Sequence, residues 1–348
     1  LHWRFQPGNE AVRTILGLSG WTLGFVVANQ VALFIVLRLA FQTGTGGVSA
    51  YSYAYILFQL PFGIVAVSVM SAVQPGLAPR WALSDLVGLG RRAVSGLRAV
   101  VVAVIPPAVG YLVLAGPIAT LVLANGAGGR SGAQETAGVL IALTVGLPGF
   151  CAYLFLTSVF QAMQDTRTVF FLYLVENGLN VALAYTLDPF LGVTGLGLAL
   201  SIAYTVAAVI AGVVLSGRLN SRPDGARPDG AHVSDTGRLY LAVPEPGRSA
   251  LASLAAAGGY PGEVRRPASE QVGLVRALVR VCALSLVMAA AVAAVSHGIG
   301  SDHGVGLVVR VFVAVAVGVS VFAGGAVVAS RLGSGPRDRR RDSRPGRP

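Results

Sequence analysis

Gly195-Leu-Gly-Leu-Ala-Leu-Ser-Ile-Ala-Tyr-Thr-Val-Ala-Ala-Val-Ile-Ala-Gly-Val-Val-Leu-Ser-Gly217 carries no charged side chain from end to end. A helix needs about 20 mostly apolar residues to cross the hydrocarbon core of a bilayer. A chain in lipid must also satisfy its own backbone hydrogen bonds, which a single helix does. The run does not alternate with the period of two that a membrane barrel strand requires. Comparable runs lie at 14–38, 50–74, 98–124, 136–160, 169–187, 275–297 and 306–330. The sequence therefore predicts an all-α, polytopic bundle of about eight transmembrane helices.

Composition points the same way. Hydrophobic residues make up 54% of the chain and charged residues 12%, with a mean hydropathy of +0.70. A soluble domain carries about 25% charged residues, so these are too few to cover a water-facing surface. Every basic residue is Arg, which fits a GC-rich genome. Segments 39–49, 125–135, 188–194 and 298–305, with the span ends beside them, hold only Arg38, Arg130 and Arg310. The remaining arginines fall on the other side, which the positive-inside rule places in the cytoplasm. Both termini are then expected in the cytoplasm. The chain opens on Leu1 and a polar, aromatic lead-in over 1–13, so further chain upstream is expected.

Residues 218–274 interrupt the apolar pattern. They contain the tandem Arg222-Pro-Asp-Gly-Ala, Arg227-Pro-Asp-Gly-Ala and four further prolines. Such a stretch buries too little apolar area to offset its ordering entropy and reads as a disordered cytoplasmic linker. The chain thus divides into a lead-in (1–13), a six-span lobe (14–217), the linker, a final helix pair (275–330) and a basic tail (331–348). Arg337-Asp-Arg-Arg-Arg-Asp-Ser-Arg344 in that tail reads as a topology anchor that could also meet anionic headgroups. The net charge of +11 is largely topological, so nucleic acid is not an expected partner.

No nucleophile elbow, phosphate-binding glycine loop, metal-ligand spacing or paired carboxylate marks an enzyme or an ATP-driven pump. Cys151 and Cys282 sit in apolar runs, and the four histidines are scattered. No metal is assigned and no cofactor is expected. Transport has two positive signs. Pro61, Pro106, Pro107, Pro117 and Pro148 fall within three consecutive spans. Proline removes a backbone donor and kinks helices, and transporters place breaks where backbone must bend or line a cavity. The alternative is the ordinary abundance of proline in membrane helices.

The second sign is Glu176, about 10 Å deep in the fifth span at 1.5 Å per residue. An intramembrane carboxylate is costly unless paired, protonated or hydrated. Asn177 and Asn180 neighbour it, and Asn29 and Gln30 lie midway along the first span. Together they could supply oxygens to Na⁺ or hold a proton; the alternative is interhelical hydrogen bonding. Arg38 and Arg310 could each meet a phosphate bidentately or simply snorkel to the outer interface.

Two further stretches bear on identity. One is Tyr51-Ser-Tyr-Ala-Tyr-Ile-Leu-Phe-Gln-Leu-Pro-Phe-Gly63, running on to Gln74-Pro75 and Leu77-Ala-Pro-Arg80. The other is Phe160-Gln-Ala-Met-Gln164-Asp165-Thr166-Arg167-Thr168. Both resemble the MurJ/MviN family of lipid II flippases, of the multidrug/oligosaccharidyl-lipid/polysaccharide exporter superfamily, over about residues 10–217. The resemblance implies spans seven to twelve of fourteen, followed by a final pair that forms a lipid-tail groove. It implies movement of the undecaprenyl-pyrophosphate-linked disaccharide-pentapeptide from inner to outer leaflet by alternating access. Coupling would be to Na⁺, H⁺ or membrane potential, in the plasma membrane of a bacterium; composition adds an actinobacterial source.

The match has departures. A cavity arginine of the family's eighth span falls at about Ile56 here, and the proline after its signature turn is Val169. Asn180 matches a sodium-ligating Asn of some members, but their carboxylate four residues on is Ala184, with Glu176 a turn earlier and Asn29 the nearest substitute on the first span. Two other readings stand beside the flippase: a related polysaccharide-lipid or drug exporter, and a membrane scaffold recruiting division or cell-wall proteins through 218–270 and the tail.

Overall fold

The computed structural model describes residues 10–44, 46–123, 129–220, 267–298 and 304–333, and among these every regular element is helical. In chain order they are α1 (Glu10–Gln42), α2 (Gly47–Pro61), a π turn (Phe62–Ala66), α3 (Val67–Val73), a 3-10 turn (Gln74–Gly76) and α4 (Ala78–Ala82). Then come α5 (Leu86–Leu123), α6 (Gly129–Val145), α7 (Leu147–Ala162), α8 (Thr166–Leu191), α9 (Val193–Asn220), α10 (Pro267–Gly298) and α11 (Gly304–Gly333). The fold is the all-α polytopic bundle that hydropathy predicts. Gly20–Gln42, Gly47–Ala82, Leu86–Leu123, Thr166–Leu191 and Val193–Leu219 are each long and apolar enough to cross a membrane. The α6–α7 pair, bent by 51°, makes a further crossing if taken as one span. In α10 and α11 the apolar portions are shorter, Val281–Ser296 and Gly306–Phe322. Of the lead-in (1–13), the linker (218–274) and the tail (331–348), residues 1–9, 221–266 and 334–348 lie outside the described residues, and the described remainder of each is helical rather than loop.

The run that decides the fold becomes α9, the helix around which the lobe is packed. Ala199, Ala203, Ala207 and Ala211 are fully buried along one face at helical spacing. Lipid tails are as apolar as leucine, so membrane helices associate through close packing of small residues rather than by escape from water. The alanine face lets α6, α7 and α8 approach α9 closely. Phe34, Phe41, Ile64 and Phe190 point outward, each more than two-thirds exposed, as lipid-facing side chains do. A separate, smaller cluster of Leu114, Met288, Val292 and Ala314 docks α10 and α11 onto α5.

Residues 75–97 are mostly helical: α4 and the first turns of α5 occupy them. Leu86, Leu89 and Ala93 are buried there, so packing of an amphipathic turn outweighs its arginines. Pro106, Pro107 and Pro117 do not break their span, because α5 runs continuously through all three. In a bundle, neighbouring helices can re-satisfy the freed carbonyls, and α5 is flanked by α6, α7 and α10.

The breaks that do form are at the other two sites. Pro61 ends α2 and leads into the π turn. Pro148 lies in the first turn of α7, just after the bend at Gly146. There the Gly146 N–H donates to the Leu143 carbonyl at 3.0 Å, one residue short of the α-helical partner. Ala142 thereby loses its donor, and the Ser201 hydroxyl of α9 replaces it at 2.6 Å. A Cβ on Gly146 would collide with the Ser201 backbone, and one on Gly149 with the Thr205 hydroxyl. Glycine at both positions is what lets the bent helix touch α9.

Candidate functional site

Glu176 lies on the inward face of α8 and is 1% exposed. Asn180, one turn on along the same face, and Asn177 are buried with it. The rest of the enclosure consists of tyrosines: Tyr51 and Tyr55 from α2, Tyr153 from α7, Tyr173 from α8 and Tyr204 from α9, all within electrostatic range of Glu176. Tyr55 lies near Gln59 and Tyr204, and Tyr173 near Thr157. Ring contacts hold the wall in place. Tyr173 stacks on Phe25 of α1 with centroids 4.8 Å apart, and Tyr153 meets Tyr173 edge-on at 5.4 Å. Tyr204 continues to Phe150 at 4.8 Å, and Phe150 to Phe58 at 5.1 Å. Four helices thus surround one carboxyl group, with α1 packed behind Tyr173.

The polar atoms inside are incompletely matched. Glu176 Oε2, Asn180 Oδ1 and Tyr153 Oη are buried without a hydrogen-bond partner. Glu176 takes part in neither the Arg80–Asp85 nor the Arg218–Asp165 ion pair. Buried polar groups are nearly always satisfied, and an exception calls for an explanation such as a functional role or an ion. A carboxylate oxygen, an amide oxygen and a phenolic oxygen form an all-oxygen set suited to a hard monovalent cation. The same carboxyl, protonated, could instead donate to one of the other two oxygens. Asn177 is less available, because its amide already donates to the Tyr173 carbonyl at 2.8 Å.

Asn29 and Gln30 are exposed on α1, as is Arg38 near its end. The structure completes the Glu176 cluster with tyrosines, which residue-by-residue reasoning overlooked, rather than with these amides. The signal available was local to α8: Tyr173 and Asn180 flank Glu176 three residues before and four after.

The signature turn sits at the end of the bundle where α7 meets α8. Gln164 adopts a left-handed φ of 59°, and the Asp165 N–H reaches back to the Phe160 carbonyl at 3.0 Å. This six-to-one bond closes α7 in the manner of a Schellman motif. Asp165 then caps α8: Oδ1 accepts from the Thr168 N–H at 3.1 Å and Oδ2 from the Thr168 hydroxyl at 2.8 Å. Arg218 of α9 adds an ion pair to Asp165 at 3.1 Å and donates to the Thr168 hydroxyl. Arg167 stands over the rings of Trp21 and Phe171, 5.9 Å from each centroid; Thr166 opens α8. The turn between α4 and α5 repeats this design: Ser84 has φ 57° and Asp85 caps α5 through the Gly88 N–H at 2.8 Å. Both turns are structural clasps, and neither contributes to the Glu176 cluster.

Residues 1–226 match the family model described as "Lipid II flippase MurJ". The chain belongs to the MurJ family. A probable lipid II flippase MurJ of Borreliella burgdorferi is 26% identical over 202 residues, covering 58% of this chain and 39% of that protein. One from Rhizobium meliloti is 29% identical over 184 residues, covering 52% of this chain and 34% of its own length. The chain therefore spans about two-fifths or less of these curated MurJ relatives. Among solved structures, "Lipid II flippase MurJ, inward closed conformation" superposes with a TM-score of 0.60 at 18% identity, covering 88% of this chain and 52% of that one. A crystal structure of MATE in its straight conformation gives 0.56 at 17% identity, covering 62% of this chain and 48% of that one. These likenesses give the MurJ sequence match a matching fold, a polytopic transporter-type helix bundle.

Proposed function

We propose that these helices form one lobe of a lipid II flippase in the plasma membrane of a bacterium. The family match over residues 1–226 carries this reading. The working protein moves the undecaprenyl-pyrophosphate-linked disaccharide-pentapeptide from the inner to the outer leaflet during cell-wall synthesis. Eight spans with both termini in the cytoplasm fit the arginine distribution, and the lysine-free, GC-rich composition supports an actinobacterial source. The final pair, α10 and α11, supplies an apolar face for the lipid tail.

In this reading Glu176 is the coupling group. Glu176, Asn180 and Tyr153 hold H⁺ or Na⁺, and occupancy changes how α8 packs against α1, α7 and α9. The bound ion supplies positive charge to a carboxylate that otherwise has none beside it, and the tyrosine wall excludes water from it. The bends after Pro61 and at Gly146 give two of the surrounding helices places to flex. The gene for this chain, in its natural reading frame, should restore lipid II export and growth to cells depleted of their own flippase. Normal membrane insertion without export would remove the reading.

A further inference from the structure

Glu176 Oε2, Asn180 Oδ1 and Tyr153 Oη are buried around one point without partners, and the residues that carry them are 1%, 4% and 0% exposed. While the carboxyl is ionised, the first two are both pure acceptors, so neither can satisfy the other. A neighbouring amide is committed elsewhere, because Asn177 donates to the Tyr173 carbonyl at 2.8 Å. Among the described residues, the titratable groups facing Glu176 are Tyr51 and Tyr55 of α2, Tyr153 of α7, Tyr173 of α8 and Tyr204 of α9. None of them brings a positive charge. From α1, Phe25 stands behind Tyr173, and Arg38 is exposed near the far end of that helix.

An unpaired carboxylate in such a place is costly, and sodium and a proton relieve it on different terms. Hard cations gather about six or more oxygens, whereas the unpartnered set here is a carboxylate, an amide and a phenolic oxygen. Transporters supply further ligands from the carbonyls of unwound helices. Here α8 and α9 are continuous through the cluster, so their carbonyls stay within the helices. The bend at Gly146 does free a carbonyl, that of Ala142, but the Ser201 hydroxyl occupies it at 2.6 Å.

One proton meets the whole deficit. On Glu176 Oε2 it turns that oxygen into a donor to Asn180 Oδ1, one turn on along α8. The Tyr153 hydroxyl can then donate to the neutral carboxyl. The orphan atoms are satisfied together, and no net charge remains in the site.

We propose that the ligand of this site is a proton, carried on Glu176 Oε2 and shared with Asn180 Oδ1, and that sodium does not bind there. The proposal rests on the reading of Glu176 as the coupling group. Binding joins the carboxylate and one H⁺ from water into a neutral acid, with no other bond made or broken. Release returns H⁺ to water and leaves two facing acceptors inside the tyrosine wall. That state favours parting of α8 from α7 and α9, because water can then supply the donors.

Infrared spectroscopy of the protein expressed from its natural reading frame, held in lipid nanodiscs, is the test. The expected result is a carboxylic-acid C=O band at neutral pH that is lost in Glu176→Gln and unmoved when sodium replaces choline at constant ionic strength. Asn180→Leu should shift that band upward as the acid loses its acceptor, and it assigns the band if Glu176→Gln does not fold. In proteoliposomes a pH gradient should drive export, and a sodium gradient of equal size should not. A carboxylate band in place of the acid band, or an acid band that sodium abolishes, would overturn the proposal. Full export by Glu176→Gln would overturn it through the coupling reading on which it rests while leaving the parent's acid band in place, so the two failures are told apart.

Discussion

The Ser201 hydroxyl donates to the Ala142 carbonyl at 2.6 Å and also approaches the Leu143 carbonyl at 3.1 Å, so α9 supplies the hydrogen bond that the bent α6–α7 segment cannot make for itself. Pro148 has no N–H to give to Thr144, and Gly146 has shifted its own to Leu143. A bend in lipid is tolerable only where such carbonyls find donors. Ser201→Ala should therefore cost about 1–2 kcal/mol of stability, the range for a buried carbonyl left without its partner. Reversible unfolding in mixed micelles measures it. An unchanged midpoint would mean that the carbonyl is satisfied by another route.

Gly146→Ala should be worse than Ser201→Ala. The added methyl meets the α9 backbone, which cannot rotate away as a side-chain tip can. Overpacking costs about 1–3 kcal/mol where the surroundings must shift. Cysteine cross-linking between α6 and α9 should report a changed register. Wild-type cross-linking and stability in Gly146→Ala would show the contact to be loose.

At the clasp, the cap and the ion pair can be separated. Asp165→Asn keeps an oxygen for the Thr168 N–H and loses the charge facing Arg218. Arg218 is half exposed, so that loss should be small. Asp165→Ala removes the cap as well and should cost about 1 kcal/mol. Hydrogen exchange at the Thr168 amide tells them apart: protection should survive in the Asn variant and fall in the Ala variant. Equal loss in both would place the stability in the ion pair instead.

Glu176→Gln preserves volume and removes the ionisable group from the tyrosine enclosure. The bundle should assemble normally, because a neutral buried amide needs less compensation than a buried charge. Export of lipid II should fall at least about tenfold, the rate equivalent of losing roughly 1.4 kcal/mol of coupling, and should stop responding to the ion gradient. Full export by this variant at both high and low membrane potential would leave Glu176 a structural role only.

The shared buried face of Glu176 and Asn180 was legible in the sequence, because helical periodicity fixes which residues share a face of one helix. The tyrosines were not, since Tyr51, Tyr153 and Tyr204 come from three other helices and meet Glu176 only through packing. The prolines show the same limit. Pro61 and Pro148 accompany breaks, whereas Pro106, Pro107 and Pro117 lie within a continuous α5. A proline specifies a missing donor; the neighbours around the freed carbonyl decide whether the helix yields.

Hydropathy by itself determined that this chain is a helical membrane protein, and the Leu-Pro-Phe-Gly and Gln-Asp-Thr-Arg-Thr motifs pointed to its family. Those features are local or one-dimensional: the bilayer tests each segment for length and polarity, and the backbone must close its hydrogen bonds within the segment. Tertiary structure alone decided that Glu176 lies among tyrosines instead of beside Asn29, and that Ser201 serves the α6–α7 bend. Each of these joins residues from different helices, where the energy comes from packing and from partners that no single segment contains.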